Sequence, residues 1–157
     1  MGHVFADIEL VNGYDVEFAR RFLIGNEEIK KMHLTIMVDT GAAFLCINEN
    51  MQEILQFPYD GTRKAAMADG RIIECRMVKG VDLRFDNRWT TCRAMVLPGD
   101  SEPLLGIIPL EDMDVLIDPF RQRLIVNPAH PDVAHVRVKR QTAFRPLSKG
   151  SPAVCGG

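Results

Sequence analysis

Turn dipeptides punctuate this chain at short intervals, and the segments between them have the length and apolar rhythm of β-strands. "HVFADIELV" alternates and stops at Asn12-Gly13, and "DVEFARRFLI" stops at Gly25-Asn26. "MHLTIMV" comes next. "KAAMA" and "RIIECRMV" flank Asp69-Gly70, "VDLRF" and "WTTCRAMVL" flank Asp86-Asn87, and the second of these stops at Pro98-Gly99. "DVLI" and "RQRLIVN" flank Asp118-Pro119. Asn-Gly and Asp-Gly between alternating segments are strong hairpin signals. Many short strands with turn residues at such spacing predict a small all-β domain, closed or sandwich-like. Helical signal is thin. Asn48 can cap a short helix through "ENMQEILQF", and a second short helix suits Ile108 to Met113, with Pro109 tolerated in its first turn.

One stretch departs from this rhythm. "LTIMVDTGAAFLCI", residues 34–47, sets Asp39 inside an apolar run that reads as a buried strand. A buried carboxylate is costly unless it is paired or hydrogen-bonded. Something must compensate this charge, or something must use it. The bland alternative is a turn Asp bonded to its own local backbone.

The rest of the chain narrows the choices. A length of 157 residues suits one domain with a real core. A net charge of −2 gives no sign of a nucleic-acid or membrane partner. The apolar stretches fall short of the ~20 residues that a membrane helix needs. Asp7 and Glu9 interrupt the amino end where a secretory signal would be apolar, and Ala6 stands where myristoylation needs a hydroxyl residue. Cys46, Cys75, Cys92 and Cys155 show no paired spacing, so free thiols and a cytoplasmic location are expected. Neither a metal-ligand cluster nor a phosphate-cradling glycine loop is present, and no cofactor is expected. Cys46 has no histidine near it in sequence and reads as a core thiol. Charge divides the chain at residue 128. From Ala129 onward stand Arg137, Lys139, Arg140, Arg145 and Lys149 against Asp132 alone. Of the 19 basic and 21 acidic residues overall, 14 and 20 remain in the body. Residues 1–128 are therefore expected to form the domain, and 129–157 a basic, proline-containing, flexible extension.

Asp39-Thr40-Gly41-Ala42 follows the strand "MHLTIMV" and precedes another apolar segment. Three named residues in a row arise by chance in a chain this long about one time in fifty. With Met37 and Val38 before it, the stretch resembles the active-site loop of the retropepsin-like aspartic proteases. Leu104-Leu105-Gly106 matches the family's hydrophobic–hydrophobic–glycine element, which packs beneath that loop. The hairpin "KAAMADGRIIECRM" falls where the family places a flap over the substrate cleft. The likeness extends over roughly residues 3–127 and is strongest to free-standing cellular members.

The resemblance implies an all-β fold, a small closed β-barrel-like retropepsin domain with one or two short helices, acting as a homodimer on a peptide or protein substrate. Two carboxylates sharing one proton can act as base and acid together, and like charges about 3 Å apart cannot both ionise, a pattern for which aspartic proteases are the standard case. The chain has one such loop. Asp118 is followed by Pro119 with no glycine after it, and Asp114 has no such setting, so both read as turn residues. The second carboxylate would then be Asp39 of an identical chain. The resemblance makes Asp39, Thr40 and Gly41 the catalytic set, with Thr40 bonding backbone across the site. It places Ala42, Ala68, Asp69 and Gly70 against substrate, and Leu104, Leu105 and Gly106 beneath the loop. The same scaffold could instead be a catalytically weak or inactive dimerisation or peptide-binding module.

Overall fold

The computed structural model describes residues 2–138 and 143–148. It is mostly β, with nine strands: β1 (Val4–Asn12), β2 (Lys31–Val38), β3 (Leu45–Asn48), β4 (Tyr59–Ala66), β5 (Ile72–Phe85), β6 (Arg88–Leu97), β7 (Leu104–Leu105), β8 (Val115–Asp118) and β9 (Arg123–Val126). Three helices join them: α1 (Gly13–Arg20), α2 (Glu49–Leu55) and α3 (Ile107–Met113). The strand order is β4-β5-β6-β3-β7-β2-β1-β9-β8, and β5 also pairs with β1. That extra pairing closes β5, β6, β3, β7, β2 and β1 into a ring of strands.

Alternation builds the ring. In β1, Ala6, Ile8 and Leu10 are buried while Phe5, Asp7 and Glu9 face outward, as the period of two requires. Leu10, Ile36, Leu45, Ile47, Val81, Leu83 and Leu105 meet inside and are fully buried. Each such side chain is worth roughly 1.5–3 kcal/mol of burial. A second apolar cluster of Cys46, Cys75, Met77, Met95 and Leu97 lies under the β4–β5 hairpin, with Phe44, Ala65, Ile73 and Leu104 packed on it.

The structure corrects the expectation of one or two helices. "DVEFARRFLI", read as a strand, is mostly helix α1, and Asn12-Gly13 starts that helix and makes no hairpin. The reason lies in Asn12. Its Oδ1 accepts from the amides of Tyr14 (3.1 Å) and Asp15 (3.2 Å), satisfying two orphan donors of a first turn. Asp15 near the start and Arg20 near the end complement the helix dipole, and Arg21 pairs with Glu17 one turn back. This local chemistry outweighs the strand preference of Val16 and Phe18. The Asn12 Nδ2 donates to Leu55 O (2.9 Å) and Gln56 O (3.2 Å), so one amide fastens the end of β1, the start of α1 and the end of α2. Where the reading placed helices at Asn48 and Ile108, α2 and α3 stand, with Asn48 Oδ1 accepting from Met51 N at 2.9 Å.

The extension is tied to the body over its first residues. The side chain of Asn87 donates to Pro131 O at 2.8 Å, and the guanidinium of Arg88 donates to His130 O. Lys139, Arg140, Lys149 and Cys155 lie outside the described residues. Among the described residues no helix is long and apolar enough to cross a membrane.

Candidate active site

The run 34–47 is two strands and a loop. β2 ends at Val38, β3 begins at Leu45, and residues 39–44 turn between them. Asp39 is therefore half-buried, and Thr40 and Gly41 are exposed. The carboxylate avoids the full cost of a core position. Its Oδ1 accepts from Gly41 N at 2.9 Å, and its carbonyl accepts from Ala42 N at 3.1 Å, a tight local turn. The hydroxyl of Thr40 has no partner within the described residues.

The loop is held from below. Met37 and Val38 of β2 pair in parallel with Leu104 and Leu105, and Cys46 of β3 pairs with Leu104 from the other side. The two-residue strand β7 thus fills the gap between the arms of the loop. Asp39 N donates to Leu105 O (3.0 Å), Ile107 N to Ala42 O (2.8 Å) and Ile108 N to Ala43 O (3.0 Å). Gly106 lies directly under the chain. A β-carbon there would stand 2.3 Å from Phe44 O and 2.7 Å from Ala42 O, so only glycine lets the backbones approach. Leu104, Leu105 and Gly106 thus sit under the loop that holds Asp39.

The hairpin of β4 and β5 turns at residues 67–71. Met67 N donates to Arg71 O, Gly70 N donates to Met67 O, and Gly70 takes φ +87°, the left-handed region that glycine adopts without strain. Ala68, Asp69 and Gly70 are exposed at the tip. The Asp69 carboxylate is engaged with Arg71, accepting from its amide (3.0 Å) and its Nε (2.6 Å). The tip makes no hydrogen bond or ion pair with the Asp39 loop among the described residues. Contact comes from the arm of the hairpin, where the Arg63 guanidinium lies 4.9 Å over the Phe44 ring. Sequence reasoning missed this pair. An Arg in a strand-like segment and a Phe two positions after Ala42 carry no signal without the register that brings them together.

The other candidate groups are occupied elsewhere. Asp118 accepts from Phe120 N and Arg121 N across its turn. Asp114 caps the end of α3 and takes the amide of His135 (2.9 Å), Asn127 Nδ2 (3.0 Å) and His130 Nδ1 (2.6 Å). The His135 amide first, then Asn127, hold its carboxyl well below the usual range. The rings of His130 and His135 stack at 3.7 Å, and beside them Arg88 is 2 % exposed, its Nη2 4.0 Å from Asp114. The Cys46 thiol is pushed up to about 11, mainly by burial and then by the nearby Cys75 and Asp39 charges. It donates to Phe44 O and stays a thiol at neutral pH.

A loop carrying a half-buried carboxylate, a strand and glycine locked beneath it, and a hairpin whose arm meets it at Phe44 form one unit. A family model described as aspartyl protease matches residues 25–108. The chain belongs to the aspartyl protease family. The stretch that carries the family's pattern runs from before β2 to the first turn of α3, and takes in the Asp39 loop, the β4–β5 hairpin and Leu104–Gly106. No curated protein matches the chain.

Proposed function

We propose that the chain is an aspartic endopeptidase that hydrolyses a peptide or protein substrate as a homodimer, each copy contributing Asp39. One observation carries this reading. The chain holds a single Asp39-type carboxylate, at the accessible mouth of a loop locked rigidly from below by Leu105 and Gly106. A catalytic group needs such support, because a misplaced carboxylate forfeits most of its effect.

The chemistry needs two carboxyls with one proton between them. The ionised one takes a proton from water as its oxygen attacks the carbonyl carbon, and the protonated one gives its proton to the carbonyl oxygen. Collapse of the resulting diol breaks the C–N bond, with the amine leaving protonated. Asp114 and Asp118 are poor candidates for the second carboxyl, since each is engaged in its own turn. A second copy supplies it by two-fold symmetry. In this reading the exposed Thr40 hydroxyl bonds the partner's loop, and the hairpin, in contact with the Asp39 loop through Arg63 and Phe44, covers bound substrate. Neither a nucleic acid nor a membrane enters this reading.

The test is cleavage of a proteome-derived peptide library, followed by mass spectrometry, with wild type beside Asp39→Asn. New termini with the wild type alone support the peptidase. Libraries left whole by both, with peptides retained on the protein, point to the peptide-binding module.

A further inference from the structure

Five strands end on one rim of the molecule. Val4 opposes Val38, Val38 opposes Leu105, Phe5 opposes Arg123, and Asp118 opposes Arg123. Followed across the sheet, these pairings set side by side the end of β7, the end of β2 with Asp39 beyond it, the start of β1, the start of β9, and the end of β8 with Pro119 and Phe120 beyond it. The approach of Gly2 to the Gln122 side chain, 2.6 Å for a β-carbon built at Gly2, draws the amino end and the β8–β9 turn together on the same rim.

Large apolar side chains stand exposed on this rim, among the charged and polar Arg121, Gln122 and Arg123. Phe120 is 96 % exposed, Phe5 44 % and Ile108, just past Gly106, 48 %. Scattered apolar side chains on a surface need no explanation, but these three flank Asp39, whose second carboxyl the proposed dimer supplies. Distance decides whether they belong together. Neighbouring strands lie about 4.8 Å apart, so three steps from β2 to β8 put the Phe120 turn about 14 Å from Asp39. An interface of ordinary size, about 800 Å² on each partner, spans about 16 Å in every direction from its centre. A two-fold axis beside Asp39 therefore brings Phe120 inside the covered area.

We propose that this rim is the face on which a second copy of the chain docks, with Phe120 as its aromatic anchor and Phe5 and Ile108 completing the apolar centre. The proposal rests on the Asp39 pairing above and goes further, by naming the surface. A rigid aromatic side chain near the middle of a desolvated patch is the type of residue that dominates association energies.

The experiment is sedimentation velocity of the full chain across a range of micromolar concentrations, for wild type, Phe120→Ser and Ile54→Ser. Ile54 is the control. It is 59 % exposed on α2, next to Leu55, whose carbonyl is bonded to Asn12 at the far end of β1 from Val4. Wild type and Ile54→Ser should dimerise alike, and Phe120→Ser should raise the dissociation constant at least about tenfold. Equal dimerisation of all three overturns the docking face and leaves the Asp39 pairing standing. A wild type that is monomeric throughout overturns both. A reading free of substitution comes from hydrogen exchange of the wild type. Residues 2–6 and 118–123 should gain protection as concentration rises, and unchanged exchange there in a dimeric sample also overturns the proposal.

Discussion

Gly106 lies so close beneath Phe44 that a β-carbon at 106 would stand 2.3 Å from the Phe44 carbonyl oxygen. The contact is backbone against backbone, so no side chain can swing aside. Gly106→Ala should lower the unfolding free energy by about 3 kcal/mol, at the upper end of what overpacking costs. Denaturant unfolding checks this, and a loss under 1 kcal/mol would mean that the loop yields easily.

Asp39 behaves oppositely. Its side chain makes one hydrogen bond, to Gly41 N, which an amide oxygen can accept equally well. Asp39→Asn should leave stability within about 1 kcal/mol of wild type and cut peptide hydrolysis by at least roughly 10³-fold. Thermal melts and library cleavage on the same preparation separate the two effects. Unfolding of this variant would make Asp39 a structural residue.

The depressed carboxyl of Asp114 makes a pH prediction. The folded chain keeps it ionised where the unfolded chain, at the ordinary 3.8, would take up a proton. Its contribution to stability is therefore complete above that value and fades as pH falls below it. The urea midpoints of wild type and Asp114→Asn should differ by a steady amount near neutral pH and begin to converge only as pH falls below about 4. A gap that widens on acidification would reverse the assignment.

Removing the extension tests Arg88. A chain ending at Pro128 loses His130 O, the only hydrogen-bond acceptor that the described residues offer this buried guanidinium, whose Nε and Nη1 already have none. The body should still fold, less stable by about 1–3 kcal/mol, the cost of leaving a buried donor unsatisfied. An unchanged melting temperature would show that water satisfies Arg88, and Asp114 without its His130 and His135 bonds, as well as the extension does.

The buried Cys46 and the partly buried Cys92 should be slow to react. Burial holds Cys46 at about 11 and Cys92 at about 12, so neither forms much thiolate at pH 8. Iodoacetamide labelling of the native chain should be far slower at both than after denaturation. Rapid labelling of Cys46 would mean that the cluster under the hairpin opens readily.

The parts of this molecule that were readable in the sequence are those set by local patterns. Alternation gave away β1, β2 and the hairpins, Asn48 announced α2, and Leu104–Gly106 stood at the right interval from Asp39. What escaped depended on partners far apart in the chain. Helix α1 escapes a pattern reading because Val16 and Phe18 favour a strand, and only the capping by Asn12 overrides them. The clasp of Asp114, His130 and Arg88 joins residues up to 42 apart, and no spacing rule connects them. Asp39 looked buried because β2 and β3 run almost together in sequence. The loop that lifts it to the surface shows only once β7 is inserted between them.

The position of Asn12 also bears on how the protein ages. An asparagine followed by glycine is the pair most prone to lose its amide, because the glycine amide can attack the side-chain carbonyl. Here the side chain is gripped from both ends, its Nδ2 by Leu55 O and Gln56 O and its Oδ1 by the first turn of α1. That grip keeps the attacking geometry out of reach while the chain is folded. Deamidation in an unfolded molecule would place a carboxylate against two carbonyl oxygens in a site 3 % exposed, and that molecule would refold poorly. The fold thus shields the Asn12-Gly13 pair, and each excursion out of the fold exposes it to this loss.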